Sequence, residues 1–304
     1  MLALRQLQQF IVVAEELNFR RAAQRLHMSQ PPLTQAIRRL EAAVRAELFE
    51  RNRNTVRLTA AGAVLLEEAQ RIVALTKAAI DATQRAAGGT RGRLRLAFVP
   101  SAALGIVPSV VRAFQRLHPE VGLELSSETT TMQIDSLRSN RIDAGILVPP
   151  LRDAPDISVT NLRREHLVAV VPVDHPLGRT ARIELQQLAD EPFILFPLAQ
   201  GPAFLSAILT ACLGAGFFPR VTHEAPQLQT VVALVACGLG VSLVPEVMRT
   251  IRHYAVHYLE IASEPTPAYD LAVACLQSSR NPVIARFVGI ARDTAARWSG
   301  LEQC

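Results

Sequence analysis

Lysine is nearly missing from this chain of 304 residues: Lys77 is the only one, so almost all of the 32 basic groups are arginine. A phosphate loop of the Walker kind needs a lysine among glycines, and Lys77 stands in an alanine-rich run instead, which excludes that class of nucleotide hydrolysis. Cysteine is scarce as well. Cys212, Cys237, Cys275 and Cys304 lie 25, 38 and 29 residues apart, with no C-x-x-C pair and no histidine at ligand spacing. That spacing excludes a structural zinc site and a disulfide framework, and it reads as reduced thiols in a cytoplasmic protein. No serine sits in a G-x-S-x-G elbow, and His27, His118 and His175 lack an acidic partner at useful spacing. Gly238-Leu-Gly240 is too short for a dinucleotide fingerprint and reads as a tight helix-to-strand turn. No cofactor, metal or catalytic residue is therefore expected. The N-terminal run has no basic segment followed by a long apolar core, so no signal peptide is expected.

Charge is missing in two places. Residues 192–219 and 225–245 carry none, and each window is long enough to span a bilayer. The first is broken by Pro197, Gly201, Pro202, Gly214 and Gly216, the second by Pro226 and Gly238. In lipid the freed backbone groups would be unsatisfied, so no membrane partner is expected. These stretches belong to a core, a pocket or a subunit contact.

With 49% hydrophobic and 19% charged residues the chain is a folded one, long enough for two or three domains. Its formal charge of +5 is unevenly spread. Residues 1–60 hold ten Arg and five Glu, whereas residues 91–304 hold nineteen groups of each sign. A small basic head on a neutral body points to a polyanion-binding module with a separate cargo.

Within the head, Leu7, Phe10, Ile11, Ala14 and Leu17 recur at helical steps. A short helix follows over Arg21–Leu26. His27-Met28-Ser29 then leads into a third helix that begins Gln30-Pro31-Pro32. Ser29 suits an N-cap, and prolines in the first turn lose only amide hydrogens that had no helical partner. Leu33, Ile37 and Leu40 face inward, which presents Gln30, Pro31, Thr34, Gln35 and Arg38 outward. Two short helices joined by a tight turn, the second polar and basic outside, describe a helix-turn-helix that reads double-stranded DNA. Leu48–Thr59 reads as two short strands around an Asn/Arg turn, a wing whose tip residue Arg53 suits a minor groove. Thr59 caps a long helix over 60–86. Along it Leu65, Ala69, Ile72, Thr76, Ala79 and Thr83 form a heptad-like seam that calls for a partner helix. Dimerisation through residues 60–86 is expected.

The run NFRRAAQRLHMSQPPLTQAIRRLEAAVRAELFERNRNTVRLTAAG resembles the N-terminal signature of LysR-type transcriptional regulators. Three positions depart from the usual pattern. Arg20 stands where a Ser or Thr cap is common, Arg45 where a Gly usually ends the recognition helix, and Gln35 where Arg is frequent. A left-handed Arg45 would cost roughly 1 kcal/mol. The resemblance implies an α/β fold class with an N-terminal all-α winged helix-turn-helix. It also implies a two-subdomain, periplasmic-binding-protein-like effector domain and a homotetramer built as a dimer of dimers.

After the glycine-rich joint 88–92 the body alternates strands and helices. Strands are expected at 94–99, 121–127, 142–148, 165–171, 220–224, 241–244 and 270–276. Helices are expected at 106–117, 131–139, 202–214, 227–237 and 283–298. Such alternation implies parallel sheets covered by helices. The domains are then 1–59 for DNA binding, 60–87 for dimerisation and 88–304 for effector binding. The last divides into subdomain I (about 91–162 and 267–304) and subdomain II (about 163–266), with chain crossings near 161–164 and 264–268. Ligands of open α/β sheets sit beyond strand C-termini, near helix starts. That points to Ser101, Thr129 and Thr130, with Pro149 and Phe204 as apolar walls, and to a carboxylate or aromatic acid. The resemblance places Ser101, Thr130 and Phe204 at inducer-cleft positions, while Val148 stands where some relatives carry a cation. Helix 227–237 is expected against helix 106–117 of a second subunit. The leading reading is an effector-responsive, DNA-binding transcription factor, not an enzyme. The alternatives are a constitutive or redox-responsive DNA-binding repressor or architectural protein, and, weaker, an enzyme with a DNA-binding appendage.

Overall fold

The computed structural model describes residues 3–51, 56–88, 92–251, 253–263 and 265–298. The chain divides into two compact units, one carried by Met1–Gly89 and one by Thr90–Leu137 and Ile142–Cys304. The expected wing tip at Arg53 and the joint residues 89–91 lie outside the described residues, as do Cys304 and Glu264 of the second crossing.

The first unit opens with α1 (Leu4–Glu16), which buries Leu7, Phe10, Val13 and Ala14. Leu17, expected on that stripe, instead ends the helix in the left-handed region at φ 47°. In α2 (Phe19–Arg25) the cap is Asn18, whose side chain accepts from the amides of Arg20 and Arg21 at 3.0 and 3.1 Å. Arg20 therefore has no capping work to do. Helix α3 (Gln30–Val44) starts after Ser29, which has cap dihedrals and no side-chain cap bond. The reason is local: the second and third helical residues, Pro31 and Pro32, have no N–H to offer it. Helix α3 ends at Arg45, left-handed at φ 55° as the sequence implied. Strands β1 (Phe49–Arg51) and β2 (Val56–Leu58) pair antiparallel as the wing. Thr59 then accepts the Gly62 amide at 2.9 Å and starts α4 (Ala60–Gly88).

The seam expected along α4 is only partly exposed. Ala69 is fully buried and Leu65 packs beside it in the core of the same unit, around Phe10, Leu33, Ile37 and Leu40. Ile72 of that seam is exposed, and the other large apolar residues facing outward are Val64, Leu75 and Ile80. A heptad pattern read on a single helix cannot say which of its faces the helix's own domain claims.

The second unit begins with β3 (Arg93–Phe98), α5 (Pro100–Ala103), α6 (Ile106–Leu117), β4 (Gly122–Ser127), α7 (Thr130–Arg138) and β5 (Ala144–Leu147). Then come β6 (Ile157–Pro172), β7 (Arg182–Ile183), β8 (Pro192–Leu195), α8 (Pro202–Gly214), β9 (Arg220–Glu224) and α9 (Leu228–Ala236). The chain continues through β10 (Ser242–Pro245), β11 (Val256–Ile261), β12 (Ala268–Leu276) and α10 (Pro282–Arg297). One sheet runs β4-β3-β5-β12-β6-β11-β7, with β10 also on β6, and β8-β9 form a separate parallel pair.

Only part of this matches the expected parallel order. Strands β3, β4 and β5 are mutually parallel, whereas β6, β10, β11 and β12 pair antiparallel. The crossings are themselves long strands. Residues 157–166 of β6 pair with β12, and residues 167–172 pair with β10 and β11, so one strand serves both halves. Strand β3 is tied to the start of β5 by Arg95, whose Nη2 and Nε reach the two oxygens of Asp143 at 2.8 and 3.1 Å. At the helix-to-strand turn, Gly240 has φ 152° and a Cβ there would lie 2.3 Å from the Pro192 carbonyl oxygen, so no side chain fits. Among the described residues, no helix is long and apolar enough to cross a membrane. The charge-free windows fold instead into β8 and α8 and into α9 and β10.

Candidate DNA interface and effector cavity

Helix α3 places its sequence-predicted readers on one outer face. Gln30, Pro31, Gln35 and Arg38 are exposed, opposite Leu33, Ile37 and Leu40, which are fully buried. Thr34 is half-buried, and its hydroxyl donates back to the Gln30 carbonyl at 3.1 Å. Its proton is spent inside the helix, which leaves its methyl and lone pairs outward. Some of the head's arginines are committed elsewhere. Arg21 and Arg25 reach Glu16 and Glu15 at 2.7 Å each. The hydrogen bond from Arg21 holds the Glu16 carboxyl below the usual range. Arg38 makes no ion pair among the described residues, so its guanidinium is available to a phosphate or a guanine edge.

In the second unit, a small cavity of about 40 Å³ lies at the C-terminal ends of β3 and β5. Ser101, Thr129, Thr130 and Phe204 line it, together with Val99, Pro100, Val148, Phe196, Gln200, Gly201 and Leu228. Pro149 is not among these residues. It belongs to a neighbouring groove of about 900 Å³ lined by α8 and by residues 262–270.

Helix capping divides the hydroxyls. Thr129 accepts from the Met132 amide at 3.4 Å and does the capping, whereas Thr130 accepts from the Val148 amide at 3.3 Å across the cavity edge. Ser101 lies inside α5, past its N-cap Val99, and caps nothing. Gln133 steadies this wall from below, with its Nε2 donating to the carbonyls of Glu128 and Ile146 at 2.9 and 3.1 Å. The opposite wall is aromatic. Phe196 and Phe204 stand edge to face at 6.1 Å, and a Cβ on Gly201 would lie 2.8 Å from the Phe196 ring, so glycine lets the ring lie back. No ionisable side chain lines the cavity.

Sequence reasoning missed Phe196, Gln200 and Leu228. The available signal was their place inside the two charge-free windows. Tyr269, which lines the neighbouring groove, is buried with its ring edge to face against Phe204, centroids 5.1 Å apart. Burial, above all, pushes its phenol up, so it keeps its proton. Glu165, opposite Tyr269 in the strand register, is pushed up mainly by burial, against the pull of Arg163 at 2.7 Å. Arg163 in turn lies 4.0 Å over the Trp298 ring.

Family models agree with this division of the chain. Residues 4–63 match "Bacterial regulatory helix-turn-helix protein, lysR family", and residues 87–296 match "LysR substrate binding domain". The chain is 34% identical over 287 residues to the transcriptional regulator AlsR of Bacillus subtilis, covering 94% of each. It is 38% identical over 259 residues to the transcriptional regulator CatR of Pseudomonas putida, covering 85% of this chain and 88% of that protein. Among solved structures, full-length CbnR complexed with its target DNA is similar with a TM-score of 0.80 and 30% identity, over 96% of this chain and 100% of that one.

Proposed function

The chain belongs to the LysR family of DNA-binding transcriptional regulators and carries that family's substrate-binding domain, and from that premise we propose where it reads DNA and what it senses. Gln30, Pro31, Thr34, Gln35 and Arg38 enter the major groove, with Arg53 at the wing tip reaching the minor groove or the backbone. The exposure of that single face of α3, over a fully buried Leu33–Ile37–Leu40 row, supports the assignment.

The effector occupies the cavity beside Ser101, Thr129, Thr130 and Phe204 and is a carboxylate or aromatic acid. The observation that carries this reading is the meeting of hydroxyl groups and the α7 N-terminus with an aromatic wall in one place. Pro149, in the adjoining groove, borders its approach. With no cation in the lining, neutral donors hold the anionic end.

The chain assembles as a dimer through the helix over residues 60–86, where Val64, Ile72, Leu75 and Ile80 are exposed, and as a tetramer through its second units. Two unpaired sheet edges support the second contact: all five residues of β9 are exposed, and so is Leu125 on β4. Helices α9 and α6 of neighbouring copies pack beside them. The protein works in the cytoplasm, as a DNA-bound regulator rather than an enzyme.

A gel shift and footprint on the DNA upstream of its own gene, repeated with a panel of carboxylates and aromatic acids, tests the reading. The expected result is a two-fold, interrupted footprint whose extent changes with one member of the panel. A footprint indifferent to every acid overturns the proposed ligand class.

A further inference from the structure

At about 40 Å³ the cavity has room for a water molecule but not for a metabolite, since a cavity that holds benzene measures about 150 Å³. An effector therefore enters only when the walls part. One wall comes from α5, the end of β5 and the start of α7, the other from residues 196–204 and α9. Three consecutive threonines at the start of α7 each take a different partner. Thr129 accepts the Met132 amide at 3.4 Å and caps its own helix. Thr130 accepts the Val148 amide at 3.3 Å and ties α7 to β5 within one wall. Thr131 reaches across instead. Its hydroxyl donates to the Ala199 carbonyl at 3.0 Å, with the Gln200 carbonyl 3.5 Å away. Thr129 and Thr130 beside the donor, and Gln200 and Gly201 beside the acceptor, all line the cavity, so this bond crosses its rim. Thr131 itself is exposed and outside the lining.

We propose that Thr131 is a latch across the mouth of the effector cavity, and that it sets how much effector the regulator needs rather than which effector it takes. The proposal rests on the cavity being the effector site. The Thr130–Val148 bond is buried, so breaking it would strand an amide, whereas the Thr131 bond is exposed and both of its groups find water when it opens. The walls therefore part at Thr131 first. Every ligand must break the same bond to enter, so each loses affinity by the same factor, about threefold for one exposed neutral hydrogen bond.

Hydrogen exchange of the full-length, ligand-free protein tests the latch. Thr131→Val keeps the side-chain volume and removes the donor. It is expected to speed exchange about threefold on both walls together, in residues 101–103 and 145–148 as well as 201–205, with α10 unchanged. Thr131→Ser keeps the hydroxyl and is expected to exchange at the wild-type rate. Acceleration confined to residues 198–201 would make Thr131 a brace of the neighbouring turn and overturn the proposal. So would a wild-type rate in Thr131→Val, an even rise that includes α10, or a Thr131→Ser protein as fast as Thr131→Val. No ligand enters this measurement, so its failure is distinct from failure of the site reading. The latter shows as normal induction in both Ser101→Ala and Thr130→Val.

Discussion

The amide of Val148 donates to the hydroxyl oxygen of Thr130 at 3.3 Å, joining the end of β5 to the first turn of α7 at the edge of the cavity. Thr130→Val keeps the side-chain volume and strands a buried amide, which costs about 1–2 kcal/mol. The expected outcome is a small loss of thermal stability and a weakened response to effector, with DNA affinity intact. Normal induction in this variant and in Ser101→Ala would place the effector elsewhere.

Two caps in the head give opposite predictions from similar residues. Asn18 accepts two backbone amides, so Asn18→Ala is expected to cost about 1 kcal/mol. Ser29 faces two prolines and bonds to neither, so Ser29→Ala is expected to stay within about 0.5 kcal/mol of wild type. Urea titration of both variants decides the matter, and equal losses would refute the argument from missing amides.

Arg45 holds a left-handed conformation at the end of α3, where glycine is at ease. Arg45→Gly is expected to stabilise the head by roughly 0.5–1 kcal/mol, after the extra freedom glycine gains when unfolded. A lower melting temperature would show that the arginine side chain contributes more than its backbone costs.

Arg38→Ala and Arg53→Ala are each expected to weaken DNA binding. Each lost phosphate contact would lower the slope of log affinity against log salt by about 1, whereas a lost base contact would cost about 1–3 kcal/mol on the specific site alone. Titrations at several salt concentrations separate the two. Unchanged affinity in both variants at moderate salt sinks the assignment of these faces.

Cys212 is fully buried in α8, and that burial pushes its thiol up to about 12. The folded protein therefore holds this proton more tightly than the unfolded chain, whose thiol titrates near 9. The stability it contributes is present below about pH 9 and is lost progressively as pH rises towards 12. Cys212→Ala is expected to flatten the alkaline arm of the stability profile. In native protein at pH 8, iodoacetamide is expected to label exposed Cys237 and spare Cys212. Rapid labelling of Cys212 would revive the redox reading.

Much of the head was legible because its signals are local. The Pro31-Pro32 pair, Arg45 and Thr59 act within one turn of their own position, whereas the cap at Asn18, two residues ahead of the expected Arg20 position, came from the structure. The row Leu33, Ile37, Leu40 identifies the opposite face of its helix without any knowledge of a partner. The cavity was legible by half. Strand ends and helix starts announced Ser101, Thr129 and Thr130, but nothing local ties Phe196 or Leu228 to them. Pro149 lines the neighbouring groove rather than the small cavity, a placement that nothing local in the sequence specifies.

The amino-acid sequence alone determined where the charge sits, which helix of the head carries a polar, basic outer face, and that a neutral α/β body follows a basic head. Those properties depend on periodicity and on contacts a few residues apart. Only the tertiary structure decided that Ala69 serves the head rather than a partner, since a helix face is claimed by whatever packs on it. It also decided that β6 pairs antiparallel with β12 in one half and with β10 and β11 in the other, and that Tyr269 packs edge to face on Phe204. Those pairings join residues far apart in the sequence, and side-chain packing rather than local propensity selects among them.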